Sequence, residues 1–313
     1  MADNMFFSKS DKILIEVKGV EAAPFLNDLL TAECVHLNIG EMRQACLLNP
    51  QGRIIHDMLI FRREEAIFWL ETETEQAPQL MQKLKMYRLR RPIEIAALEG
   101  WQALIGLGND IASDRPDMGQ TPDWAVRDGR YIRAEADFAI WHVFFKHETD
   151  MGNAEPHNPA AYHWLRLGIG LPEGAAELSE ARALVVEAGF HLGDAVDFKK
   201  GCYVGQEVTA RTHYRGSVKK YLIAVEGMMN ADQADPQTPL KLSQDGKEIG
   251  QILHICKADK PEQPSRAMAM IRKEAALAYL NINNKIELDG QAVGLMILPA
   301  LKTALEGEST MQS

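Results

Sequence analysis

Apolar and polar positions alternate along much of the first hundred residues. Residues 12–18, KILIEVK, alternate with a period of two and predict a strand. Phe25, Leu26, Leu29 and Leu30 then fall at helical spacing and predict a helix over 21–31. Residues 43–48, RQACLL, predict a second strand, closed by the turn signal Asn49–Pro50–Gln51–Gly52. RIIHDMLIFR and AIFWLET predict two more strands, joined by the charged link 62–65. Residues 78–88 predict a helix with Leu80, Leu84 and Tyr87 on one face, and strand-like segments follow at 92–97 and 101–107.

The pair Asp128–Gly129, between WAVR and RYIRA, carries a hairpin signal. WHVFF at 141–145 predicts a strand, and the Asn-, Pro- and Gly-bearing stretch 150–160 a linker. A helix is expected from Tyr162 to Leu167, ended by Gly168, Gly170 and Pro172. In the last hundred residues strand patterns dominate, with Asp245–Gly246 and Asp289–Gly290 at hairpin positions. Segments 231–239 and 258–265 read as loops. RAMAMI at 266–271 is open: Ala and Met favour helix, whereas small and large residues alternate with period two. The sum is an α+β chain, mixed units first and then a mostly β unit such as a small barrel.

A length of 313 residues suggests two or three packed units. The 46% apolar and 25% charged composition is that of an ordinary globular chain. No run of about 18 apolar residues occurs, so no membrane span is expected. MADNMFFSKSDK resembles neither a signal peptide nor an Arg-rich transit peptide, and a cytoplasmic protein is the simplest expectation. Cys34, Cys46, Cys202 and Cys256 are scattered, with no C-x-x-C pair, which suits free thiols in a reducing compartment. A net charge of −10 argues against general, strong nucleic-acid binding.

Against that acidic background Lys199–Gly216, KKGCYVGQEVTARTHYRG, stands out. From Lys199 to Tyr221 there are six Lys or Arg and one acid, a local charge of +5 that suits an anionic ligand. Cations beside Cys202 favour its thiolate. Gly201 and Gly205 let the backbone turn tightly or approach a ligand. The alternative is a buried, inert cysteine among solvated lysines, the commoner fate of free Cys.

The motif K-G-C-Y-x-G-Q-E, spanning Lys200–Glu207, resembles the signature of the YgfZ/GcvT-like family, folate-binding proteins of iron–sulfur cluster assembly and repair. TARTHYRG resembles the branch that includes the mitochondrial iron–sulfur assembly factor. NPQGRIIHDMLIF, YRLRRPIEI and YHWLRLGIGLPEG are similar to further blocks of the family. The resemblance implies a relative of the glycine cleavage aminomethyltransferase: three domains packed as a ring, two α+β domains with antiparallel sheets and a C-terminal small β-barrel. It implies a folate-binding domain over 1–46 with 151–215, a second α+β domain over 47–150 and a barrel over 216–313.

The resemblance also implies tetrahydrofolate, or a derivative, as ligand, with Cys202 as the reactive residue. Folate-binding roles fall on Glu187, Asp57, Lys200, Gly201, Tyr203, Gly205, Gln206, Glu207, Arg211 and Arg215. Glu187, in VVEAGF, matches a transferase Glu that bonds the pterin, and a carboxylate can accept two N–H groups from that ring. Against that stands the ordinary exposed glutamate. The transferase carries two adjacent aspartates in a pattern like GGIIDDLIV; here GRIIHDMLI keeps Asp57 and has His56 for the first. That substitution argues against a classical aminomethyl transfer, which needs a carboxylate to organise the amine. The alternative for the pair is a strand edge with one residue solvated. Arg and Lys suit the glutamate tail, from Arg211 and Arg215 or from the cluster Lys83, Lys85, Arg88, Arg90 and Arg91, whose first two lysines also suit a solvated helix face.

Three functions follow. The first is a folate-binding iron–sulfur assembly factor serving assembly proteins or apo-enzymes. The second is a one-carbon transferase, and the third a tRNA-modification accessory. One cysteine cannot hold a cluster alone, so no stable cluster is expected on the monomer. A mitochondrial matrix location is expected only for a processed eukaryotic form.

Overall fold

The structure, a computed structural model, describes residues 5–108, 111, 123–146, 157–178, 183–216, 218–229, 240–258, 262–282 and 285–311. The chain opens with β1 (Met5–Ser8), then β2 (Lys12–Lys18), whose alternating pattern buries Leu14, Ile15 and Val17. The helix α1 (Ala22–Leu29) buries Ala22, Phe25, Leu26 and Leu29. A meander follows: β3 (Met42–Leu48), β4 (Ile54–Glu64) and β5 (Ile67–Glu73). The turn between β3 and β4 is built by Asn49, whose Oδ1 accepts the N–H groups of Gln51 and Arg53, and by Gly52 at φ +73°. Helix α2 (Ala77–Arg88) buries Leu80 and Leu84, while Tyr87, expected on the same face, is exposed. Then comes β6 (Glu94–Ala97), and β3–β4–β5–β2–β6 form one antiparallel sheet. Helices α1 and α2 cover one face of it, over a core that includes Ile15, Phe25, Leu47, Met58, Phe68 and Leu80.

β7 (Trp101–Leu107) starts the second sheet, followed by β8 (Trp124–Arg127), the short helix α3 (Gly129–Arg133) and β9 (Ile140–Lys146). The order is β1–β7–β9–β8. The expected hairpin at Asp128–Gly129 is not formed. The Asp128 side chain accepts the Arg130 N–H and caps α3 instead, so the connection to β9 is helical. The two sheets meet over an aromatic cluster that includes Phe61, Trp69, Trp124 and Phe144, with Trp124 stacked on Phe144 at 5.1 Å.

Helix α4 (Pro159–Gly168) is capped by Asn158 and stops where expected, with Gly170 at φ +75°. The linker expected over 150–160 lies mostly outside the described residues. After α5 (Ala175–Leu178) the chain runs irregularly to α6 (Gln206–Tyr214). The remainder is a closed barrel, β10–β13–β12–β11–β14–β15. Its strands are β10 (Lys220–Gly227), β11 (Lys241–Gln244), β12 (Lys247–Cys256), β13 (Ser265–Arg272), β14 (Ile286–Leu288) and β15 (Gln291–Met296), with α7 (Lys273–Ile282) and α8 (Pro299–Met311) after β13 and β15. Asp245–Gly246 and Asp289–Gly290 turn the β11–β12 and β14–β15 hairpins, all four residues at positive φ. RAMAMI is strand β13, whose period of two is satisfied by Ala267 and Ala269 inside the barrel and Met268 outside it. The loop expected over 231–239 lies outside the described residues.

The α+β class, the antiparallel sheets and the C-terminal barrel are as expected from the sequence. The expected division at 46/47 falls inside β3, which pairs with β4 along its length. A cut there would sever the five-stranded sheet.

Candidate functional site

The loop that carries Cys202 lies where the five-stranded sheet, α4 and the barrel meet. Tyr203 packs there with Cys46, Leu48, Ile54, Leu222 and Met268. Asp197 Oδ1 accepts the Lys199 and Lys200 N–H groups at 2.6 and 3.2 Å and shapes the approach. The Lys200 ammonium reaches across to the C-terminal end of α1. It donates to the Asn27 and Ala32 carbonyls, both at 2.7 Å, and to the Leu30 carbonyl, which satisfies groups the helix leaves open. It also lies 4.9 Å from the Tyr203 ring centre. Burial pushes this lysine down to about 8, against the pull of Cys34 and Asp197.

Gly205, at φ +82°, caps α6 and lies against the β3–β4 turn. Thr209 donates both its N–H and its hydroxyl to the Gly205 carbonyl. Glu207 and Arg211 on α6, and Arg215 just after it, are exposed, and Gln206 is half-buried. His213 stacks on Phe198 with ring centres 4.3 Å apart. The outcome for the thiols is clear: Cys34, Cys46 and Cys256 are buried, and Cys202 is exposed. Native protein should therefore take one equivalent of a maleimide rapidly at Cys202, and the other three thiols only on unfolding. Mass spectrometry of the labelled peptides checks this.

Glu187 is buried, not exposed. Its Oε2 accepts the Leu184 N–H at 3.0 Å, and its carbonyl accepts the Leu222 N–H of β10 at 2.8 Å. Oε1 takes no hydrogen bond among the described residues and keeps an open acceptor. The next residues, Ala188, Gly189 and Phe190, line a largely apolar cleft with Gln44, Leu171 and Pro172. Glu187 itself is not among the residues that line this cleft. Residues 199–207 do not line this cleft.

His56 and Asp57 are not solvated at a strand edge, since β4 lies between β3 and β5. His56 is buried, with no hydrogen-bond partner on either ring nitrogen among the described residues, and burial together with Lys83 pushes it down to about 4. Asp57 Oδ2 accepts the Gly174 N–H at 3.0 Å. Burial pushes the Asp57 carboxyl up to about 6; Lys12 and the Gly174 N–H oppose this, and Glu173 and Glu73 add to it. Such a carboxyl binds its proton more tightly folded than unfolded, so its cost to stability grows as pH rises from its ordinary 3.8 toward 6. Asp57→Asn should then raise the unfolding free energy at about pH 8 by about 1–3 kcal/mol and much less at about pH 4.5. Urea unfolding of both proteins at the two pH values checks the sign.

Sequence reasoning missed the charged network beside this point. Lys9 Nζ contacts Glu71 at 2.5 Å and His142 Nδ1 at 2.6 Å, and His142 Nε2 contacts Asp128 at 3.0 Å. Arg130 bridges Asp128 at 2.7 Å and Glu173 at 2.9 Å, and Lys12 approaches Glu173 at 3.3 Å. The network ties the two sheets to the start of α5. The available signal was a charged or imidazole residue inside an apolar strand: Glu71 in IFWLETE and His142 in IWHVFFK. Among the described residues no three His, Cys, Asp or Glu side chains are grouped so as to hold a metal ion. No helix among them is long and apolar enough to cross a membrane.

Residues 6–107 match the GCVT N-terminal domain. The chain is 30% identical over 289 residues to an iron-sulfur cluster assembly factor IBA57 homolog, mitochondrial, from Phaeosphaeria nodorum, covering 87% of this chain and 68% of that protein. The chain belongs to the IBA57 iron-sulfur cluster assembly factor family. The mouse IBA57 protein, also named mitochondrial, is 27% identical over 308 residues, covering 88% of this chain and 80% of its own length. The fold is that of the glycine cleavage system aminomethyltransferase T from Bartonella henselae, with a TM-score of 0.70, 20% identity, and coverage of 96% of this chain and 87% of the other. The IBA57 family and the aminomethyltransferase thus share one architecture while differing in the function their names state.

Proposed function

We propose that this chain acts in iron–sulfur cluster assembly or repair, binds a tetrahydrofolate, and presents Cys202 to a cluster or a partner protein. The observation that carries the reading is the contrast among its thiols: three are buried, and the one in the K-G-C-Y-x-G-Q-E loop is exposed. Its loop is held on both flanks, by Lys200 at α1 and by Gly205 at the β3–β4 turn. A fixed, exposed thiol is suited to docking, persulfide transfer or shared ligation. A cluster needs further thiolates, which a partner would supply. Glu187, whose Oε1 keeps an open acceptor, would bond the N–H edge of the pterin, with Arg211 and Arg215 available to carboxylates. Folate binding needs no turnover here, and we place the chain among accessory proteins rather than aminomethyltransferases.

The test is complementation of a deletion strain with Cys202→Ala beside Glu187→Ala. Cys202→Ala should fold normally, since exposed substitutions cost within about 0.5 kcal/mol, yet fail to restore iron–sulfur enzyme activity. Equal rescue by Cys202→Ala and wild type would remove the thiol from the function. Glu187→Ala should weaken tetrahydrofolate binding in calorimetry while leaving Cys202 labelling unchanged.

A further inference from the structure

Apart from Lys83, which acts on His56, the cluster Lys83–Arg91 has no role in the site above, and its surroundings differ from an ordinary solvated face. Leu89 ends α2 at φ 53°, ψ −115°, and is 81% exposed. A branched residue at positive φ is strained, and here the strain holds an apolar side chain out in water. Val20, in the turn before α1, is 83% exposed, and Met86 is 60% exposed. The two segments adjoin. A Cβ on Gly19 would lie 2.4 Å from the Pro92 carbonyl, and Glu21, Leu89, Arg90 and Arg91 line one groove. Arg91 is neutralised by Asp28 at 2.6 Å and Glu21 at 4.0 Å. Lys85 and Arg90 are exposed and form no ion pair among the described residues.

We propose that this patch docks a partner protein through an acidic segment with an apolar tip. Val20, Met86 and Leu89 would bury against the tip, and Lys85 and Arg90 would meet the acids. In a chain of net charge −10, exposed cations beside exposed apolar side chains complement such a segment. Glu21 and Asp28 are paired with Arg91, which leaves Lys85 and Arg90 as the cations open to a partner. Leu, Val and Met offer no platform for stacked bases, which disfavours RNA.

The probe is a synthetic amphipathic helical peptide with Leu on one face and Glu on the other, its binding followed by fluorescence anisotropy. Wild type should bind it, and Leu89→Asp should weaken binding about tenfold or more. Arg90→Glu should weaken it at low salt and flatten its salt dependence. Both positions are exposed, so thermal unfolding should match wild type. No measurable binding by wild type, or equal binding by the variants, overturns the proposal. So does tighter, Leu89-dependent binding to phosphatidylglycerol vesicles or to polyuridine RNA.

Discussion

Arg130→Met should cost on the order of 3–5 kcal/mol of unfolding free energy. Arg130 is buried, with its guanidinium on both oxygens of Asp128 and on Glu173 Oε2. Burial alone would raise both carboxyls, but Arg130 and His142 hold Asp128, and Lys12 and Arg130 hold Glu173, below the usual carboxylate range. Removing the guanidinium leaves two buried carboxylates, one keeping His142 and the backbone N–H of residue 130, the other Lys12 and Tyr162. The sign with pH follows. Depressed carboxyls contribute stability that is present above their ordinary values and lost as pH falls through their depressed ones, whereas buried carboxylates left without the guanidinium take up protons as pH falls below neutral. The gap between wild type and Arg130→Met should therefore be widest near neutral pH and narrow toward about pH 4. Arg130→Lys keeps the charge but not the fork and should fall between the two. Guanidinium unfolding gives all three values, and a loss under about 1 kcal/mol at neutral pH would show that the network is dispensable.

The physical origin of each sequence signal decides which parts of the fold could be read in advance. β2, β4, β5 and β9 bury alternate or continuous apolar residues, so their patterns speak directly. The Asp245–Gly246 and Asp289–Gly290 hairpins follow from local backbone preference. Asp128–Gly129 carries the same two letters, yet Asp128 is drawn to Arg130 and His142, and a long-range partner overrides the local turn. The pairing that crosses 46/47 is not legible in advance because strand pairing is non-local: nothing in RQACLL states that its neighbour is β4 of the same sheet. The ionic network joins residues from position 9 to position 173, each unremarkable alone. Glu187 and Cys202 both stand out in the sequence, but which one is buried and which exposed depends on tertiary packing.

The K-G-C-Y-x-G-Q-E loop divides its labour in a way its letters do not disclose. Lys200 satisfies the end of α1, Tyr203 fills the junction between the sheet and the barrel, and Gly205 permits contact with the β3–β4 turn. Cys202 stays outward. Half of the basic, glycine-flanked character that suggests an activated thiol therefore builds the mount on which the thiol is held.

Gly205→Ala should break that mount, whereas Gly201→Ala should not. At Gly205 a Cβ would lie 2.6 Å from the Asn49 carbonyl and 3.0 Å from Gly52 Cα, backbone atoms that cannot rotate away, and φ is +82°. At Gly201 a Cβ meets nothing within 4 Å. The left-handed conformation and the clash together should cost Gly205→Ala roughly 2–4 kcal/mol, against under about 0.5 kcal/mol for Gly201→Ala. The loss is local first: the N-terminus of α6 must lift from the Asn49–Gly52 turn, taking Cys202 with it. Hydrogen exchange should then rise in residues 198–210 of Gly205→Ala while the barrel strands stay protected. Complementation should fall toward that of Cys202→Ala even at temperatures where the variant remains folded. Equal stability and equal exchange for the two alanine variants would mean that the thiol is not held by this contact, and that the exposure of Cys202 alone, rather than its fixed position, underlies the function.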